Sequence, residues 1–240
     1  AMQLLVDAGD EVVVVVPVWP NLPAQPAILG ANVVRVPLAP DAAGAWRLDL
    51  DRLLAAVTPG TRVLLLNAPN NPTGWTLTRA EQQQILAHCR QTGTWILADE
   101  VYERLYFDTD SPTGCAPSFL DVSDPDDRLV VVHSFSKSFL MTGWRLGWMV
   151  IPEAYVRDVE KLAQNLTLCP STPAQYGVLA AFEPETIALL ESRRAEFRRR
   201  RDFLAPALER IGCRITARPE GAFYLYCDSS ALADDSFTLA

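Results

Sequence analysis

Short apolar runs at residues 12–16, 33–36, 63–66, 94–98, 129–132 and 146–151 constrain this chain more than any other feature. They are too uniformly apolar to alternate, so they do not describe strands with one wet face; runs of this kind are strands buried on both faces. Amphipathic segments suited to crossover helices lie between them, clearest at residues 78–90 and 152–165. The pattern predicts an α/β fold with a mostly parallel central sheet between helices.

The alternation stops after a long helical pattern from residue 184 to about residue 210. Two strand-like segments follow, at 213–216 and 222–227, split by the turn residues Arg218-Pro219-Glu220-Gly221. This change predicts a large domain over residues 1–183 and the beginning of a small α+β domain over residues 184–240. Residues 1–6 read as the last turns of a helix with no cap before it, and residues 236–240 stop inside another helical pattern. The expectation is a piece of a longer protein, cut at both ends.

Charge and composition remove several classes of function. With 29 acidic and 21 basic residues the formal charge is −8, which gives no electrostatic attraction for nucleic acid. The arginine run 198–201 falls within an amphipathic helical pattern and is expected on its solvated face. No apolar stretch approaches the roughly 20 residues that span a bilayer, and no signal-peptide pattern opens the chain. Cys89, Cys115, Cys169, Cys213 and Cys227 are scattered without metal-binding spacing, and only His88 and His133 could add imidazoles. No metal site is expected, and a reducing, cytoplasmic setting with free thiols is.

Ligands of open α/β sheets bind outside the carboxyl ends of the strands, so chemistry is sought just after each apolar run. Asn67-Ala68-Pro69-Asn70-Asn71-Pro72-Thr73-Gly74 follows residues 63–66, Asp99-Glu100-Val101-Tyr102 follows 94–98, and His133-Ser134-Phe135-Ser136-Lys137 follows 129–132. Lys137 is one of only two lysines. An amine at the end of a buried strand, flanked by small hydroxyls, is placed to form an imine with a carbonyl compound. Lys161, among charged neighbours on a helix, reads as a surface residue. Asp99 ends a buried strand, where an uncompensated carboxylate is costly, so a fixed cationic partner is expected. A salt bridge to an arginine would serve as well as a ligand cation.

Four stretches carry a resemblance: Asn70-Asn71-Pro72-Thr73-Gly74, Ala98-Asp99-Glu100-Val101-Tyr102, Ser134-Phe135-Ser136-Lys137-Ser138-Phe139 and Gly143-Trp144-Arg145-Leu146-Gly147. In order and separation they resemble the class I and II aminotransferases, fold-type I enzymes that use pyridoxal 5'-phosphate. The likeness runs from Asp10-Glu11 to Pro219-Glu220-Gly221-Ala222-Phe223-Tyr224 and implies an aspartate aminotransferase-like fold. It implies that Lys137 holds the cofactor as a Schiff base and moves a proton at the substrate α-carbon. Asp99 would keep the pyridine nitrogen protonated, and Asn71 and Tyr102 would hydrogen-bond the phenolic oxygen. Ser134, Ser136 and Arg145 would hold part of the phosphate. Trp19 would stack on the ring, with rim or core packing as its alternative.

The implied reaction is amino-group transfer between an L-amino acid and a 2-oxo acid, in a homodimer when the protein is full length. A lyase, synthase or decarboxylase built on the same cofactor, or a cofactor-binding sensory domain of a transcriptional regulator, are the alternatives. The rest of the phosphate site and the arginine for the substrate carboxylate are expected outside these 240 residues, leaving this chain alone with weak cofactor binding and little or no turnover.

Overall fold

Runs such as Val12-Val13-Val14-Val15 have no polar face to offer solvent, and in the computed structural model of the chain they lie inside a sheet covered on both sides. The structure describes residues 1–108, 111 and 113–239, so Ala240, at the end of the last helical pattern, lies outside the described residues. The first half runs α1 (Met2–Leu5), β1 (Glu11–Val16), α2 (Asn21–Ile28), β2 (Asn32–Pro40), β3 (Trp46–Leu48), α3 (Leu50–Ala56), β4 (Thr61–Asn67), α4 (Arg79–Thr92) and β5 (Trp95–Asp99). The second runs β6 (Leu129–Ser134), β7 (Gly147–Val150), α5 (Val156–Leu166), α6 (Thr172–Gly177), α7 (Pro184–Arg210), β8 (Arg214–Ile215), β9 (Cys227–Asp228) and α8 (Ser236–Leu239).

The first seven strands form one sheet in the order β3-β2-β1-β4-β5-β6-β7. From β2 to β6 every neighbouring pair is parallel, and β3 and β7 join antiparallel at the two edges. The fold is therefore α/β with a mostly parallel sheet. β7 departs from the parallel set because the connection from β6 contains only a 3-10 turn, Thr142–Trp144, and no crossover helix.

Alternate residues of each strand feed two cores. Val13, Val15, Leu64, Leu66, Ile96 and Val131 face Leu53 of α3 and Ile85 and Leu86 of α4. Val12, Val14, Leu65, Leu97 and Val130 face Met2 and Leu5 of α1 and Leu22 of α2. Helix α4 begins with a reciprocal cap between Thr78 and Glu81 and ends at Gly93, whose φ of 75° closes the helix. That clean stop sends the chain into β5 with Asp99 in register beside Asn67 of β4.

Two expectations need correction. Arg199 and Arg200 do reach Glu196 on the wet face of α7. Arg201 instead turns inward, with its guanidinium carbon 4.7 Å from the Phe107 ring centroid and a 2.8 Å hydrogen bond donated to the Pro219 carbonyl. An aromatic face, a carbonyl and the Asp202 carboxylate at 2.8 Å together satisfy a guanidinium that the helix turn has directed off the surface. The strand expected at 222–227 also shrinks to Cys227–Asp228, paired antiparallel with Arg214–Ile215. Ala222 takes a φ of 57° and donates its N–H to Leu105 at 2.8 Å, drawing the following residues toward the large sheet.

Candidate active site

Three parallel strands end side by side at β4, β5 and β6, and each ends on a polar residue: Asn67, Asp99 and Ser134. A cleft of about 480 Å³ opens there. Its walls include Trp19, Asn71, Asp99, Tyr102, Ser134, Ser136, Lys137 and Arg145, so the eight residues given a site role from the sequence meet in one place. Asn67, Val101, Thr142 and Tyr224 complete the lining and had been given no role.

Asn67 organises the floor. Its Nδ2 donates to the Asp99 carbonyl at 3.1 Å, and its Oδ1 accepts from the Asn71 N–H at 2.8 Å. The amide thus ties the end of β5 to the loop after β4. That loop is held from the other side by Gly74, whose φ is 70° and whose carbonyl accepts the N–H groups of Glu220 and Gly221, both at 2.9 Å. A Cβ there would stand 2.7 Å from the Gly221 carbonyl oxygen and 2.9 Å from the Pro219 Cα, so only glycine fits.

Asp99 is 9% exposed and enters no ion pair among the described residues; its Oδ1 accepts only a 3.3 Å bond from the Val101 N–H. Burial pushes its carboxyl up to about 6, against small opposing effects of that N–H and of the Lys137 charge. The alternative reading of Asp99, a salt bridge to an arginine, finds no such partner among the described residues. The carboxylate faces the cleft needing a cation.

Lys137 lies in the loop after β6, with its Nζ 5.7 Å from the Phe223 ring centroid and 6.0 Å from that of Tyr102. Strand alternation separates its neighbours: Ser134 lines the cleft, whereas buried His133 stacks on Trp148 with ring centroids 4.9 Å apart. The Ser134 hydroxyl accepts the Ser136 N–H at 3.0 Å, folding the loop into a tight turn. β7 pairs Gly147 with Ser134, and a Cβ on Gly147 would lie 2.6 Å from the His133 carbonyl oxygen, so the close strand approach requires glycine. Arg145, two residues before it with φ 52°, arrives at the rim and donates to the Thr142 carbonyl at 3.0 Å. Gly143, on the other side of Arg145, has open space beside it.

Tyr102 is buried, and its phenol is pushed above the ordinary tyrosine range, first by burial and then by the neighbouring Tyr224 hydroxyl. The two hydroxyls are 2.9 Å apart, and the Asn71 Nδ2 lies 3.5 Å from the first and 3.3 Å from the second. Trp19 is 46% exposed on the loop after β1 and forms an outer wall. Chemically, this lining can attack a carbonyl carbon with an amine and hold a cationic nitrogen with a carboxylate. It can also direct hydroxyl, amide and guanidinium donors at anionic oxygens.

An amine and a carboxylate that has no cation among the described residues thus meet beyond neighbouring parallel strands, a lining suited to an α/β enzyme whose ligand carries both a carbonyl and a cationic nitrogen. The chain belongs to the aminotransferase class I and II family, whose model matches residues 1–240, and that family is pyridoxal phosphate-dependent. A probable aspartate/prephenate aminotransferase of Aquifex aeolicus is 35% identical over 96% of this chain and 57% of its own length. A valine–pyruvate aminotransferase of Mycobacterium tuberculosis is 34% identical over 96% of this chain and 57% of its own. Among solved structures, N-succinyldiaminopimelate aminotransferase from M. tuberculosis superposes with TM-score 0.88 at 33% identity, covering 99% of this chain and 60% of that one. Thermus thermophilus aspartate aminotransferase with maleate gives 0.89 at 32% identity, over 100% and 60%. The chain therefore spans a little over half the length of the curated relatives it matches.

Proposed function

We propose that the protein to which this chain belongs transfers an amino group between an L-amino acid and a 2-oxo acid, using pyridoxal phosphate bound in the cleft between β4, β5 and β6. The observation that carries the proposal is Asp99, a buried carboxylate without a cation among the described residues, sharing a cleft with Lys137. A carboxylate so placed fits a protonated ring nitrogen, and an amine fits an aldehyde. When bound, the cofactor supplies an electron sink for the negative charge left at a substrate α-carbon that has lost its proton.

The chain's own residues do the rest. Lys137 would hold the aldehyde carbon as a Schiff base, and its freed amine would carry a proton between the substrate α-carbon and that aldehyde carbon. Asp99 keeps a proton on the ring nitrogen, because the alternative is an unpaired charge in a dry site. Asn71 and Tyr102 donate to the phenolic oxygen. Ser134, Ser136 and Arg145 hold part of the phosphate, Arg145 as the cation, and Trp19 covers a ring face. The division of labour we infer gives residues 1–183 the cofactor and makes residues 184–240 the start of a second domain. A cytoplasmic homodimer is the expected setting; among the described residues no helix is long and apolar enough to cross a membrane.

The test is covalent capture. Pyridoxal phosphate followed by borohydride should add one reduced cofactor to the chain at Lys137, read by peptide mass. Labelling that is undiminished and unchanged in site in Lys137→Ala would refute the assignment.

A further inference from the structure

The hydroxyl of Tyr224 stands 2.9 Å from that of Tyr102 and 3.3 Å from the Asn71 Nδ2, which is itself 3.5 Å from the Tyr102 hydroxyl. Groups far apart in the sequence thus close a triangle in one wall of the cleft. Its corner at Tyr224 is fixed by packing. The Ala222 N–H is bonded to the Leu105 carbonyl at 2.8 Å, and Phe223 sits edge-on to Tyr102 with ring centroids 5.5 Å apart and stacks on Phe197 at 5.7 Å.

A proton inventory gives the triangle a direction. An amide nitrogen has two protons to donate, a phenol has one, and each phenol oxygen can accept. If Asn71 donates to Tyr224 and Tyr224 donates to Tyr102, both short contacts are satisfied and two protons remain, one on Asn71 and one on Tyr102. If Tyr102 donates to Tyr224 instead, Tyr102 has nothing left to give. We propose that Tyr224 is a positioning residue: by donating to Tyr102, it leaves the Tyr102 proton and the second Asn71 proton free for a single oxygen in the cleft, the phenolic oxygen of bound pyridoxal phosphate. This inference rests on the reading of the site given above. It adds a residue that touches the cofactor only through another side chain.

The test is the pH midpoint of the visible absorbance of pyridoxal phosphate bound to the chain, compared among the unaltered protein, Tyr102→Phe, Tyr224→Phe and the double variant. An oxygen that loses a donor holds its proton more tightly, so the midpoint rises. Tyr102→Phe should raise it by about 1 unit and Tyr224→Phe by about half a unit, because a Tyr102 oxygen that accepts no bond is a weaker donor and is no longer held in place. The double variant should rise no further than Tyr102→Phe alone, because Tyr224 acts through Tyr102. An unmoved midpoint in Tyr224→Phe, or rises that add in the double variant, would overturn the proposal; a purely structural tyrosine would lower the unfolding temperature and leave the midpoint alone.

The cofactor-free chain supplies a second readout. With carbon-13 at tyrosine Cζ, the Tyr102 resonance, assigned by its loss in Tyr102→Phe, should move in Tyr224→Phe at neutral pH; an unmoved resonance also overturns the proposal. A visible band that persists in Lys137→Ala defeats the reading of the whole site. A Lys137-dependent band indifferent to Tyr224 defeats this inference alone.

Discussion

Asp99 and Lys137 line one cleft without bonding to each other: the carboxylate feels the charge of the amine, yet among the described residues its one hydrogen bond comes from the Val101 N–H. They reach the cleft from the ends of neighbouring parallel strands, β5 and β6. The separation leaves each free to hold a different part of one ligand, and leaves Asp99 a burden on the fold while the cleft is without that ligand.

That burden has a sign that pH can read. Burial raises the Asp99 carboxyl from 3.8 to about 6, so the folded chain binds this proton more tightly than the unfolded chain does. The Asp99 contribution to stability is therefore greatest below the unfolded value, declines as pH rises through the interval, and is lost above about 6. Asp99→Asn should stabilise the cofactor-free chain at pH 8 by as much as about 3 kcal/mol and by much less near pH 4. Urea denaturation at the two pH values measures the difference. The same variant should bind pyridoxal phosphate more weakly.

Glu100 points away from the cleft into its own buried setting, where it accepts from the Ser118 hydroxyl at 2.6 Å and the Phe119 N–H at 2.9 Å. Burial pushes its carboxyl up to about 7. Ser118→Ala removes a donor that matters most to the ionised form, so its cost should grow from about 1 kcal/mol at pH 5 to about 2–3 kcal/mol at pH 8. A cost independent of pH, in denaturant titrations, would contradict the role given to Glu100.

Gly74→Ala should be among the harshest single changes in the loop. It places a Cβ against Pro219 and the Gly221 carbonyl and forces φ near 70° on a residue that resists it. We expect a loss of about 3 kcal/mol, with a lower thermal midpoint and a weaker Lys137-dependent absorbance band.

Trp19→Ala tests the opposite case. With 46% of the residue exposed, its removal should change stability by no more than about 0.5 kcal/mol. Pyridoxal phosphate affinity should fall several-fold if the indole covers the ring. Equal affinity by spectroscopic titration would return Trp19 to the role of a rim residue.

The sheet was legible because uninterrupted valine and leucine runs leave little choice but burial on both faces. The elements that escaped notice lack such a signal. α2 contains Pro23 and Pro26 and no charge, β3 is only three residues long at an edge, and α3 is short despite the Asp49 side chain that caps it. The expected strand over 222–227 failed because tertiary bonds to Leu105 and packing on Tyr102 took residues that pattern alone would pair with β8. Within the cleft, Lys137 and Asp99 stood out by their place after apolar runs, whereas Asn71 stood out only through the family resemblance. Tyr224 was visible as a letter in a motif, but its hydroxyl acquires meaning only beside Tyr102, which the fold supplies and local sequence does not. Asn67 was similarly silent, since its work is done through the backbone of Asp99 and Asn71.

The carbonyl of Gly74, gripping two successive amides, couples the Asn71 loop to the strip of chain that carries Tyr224. Neither can swing without dragging the other. Any displacement of this wall of the cleft carries both segments together, so the donors of Asn71 and Tyr224 keep their mutual aim.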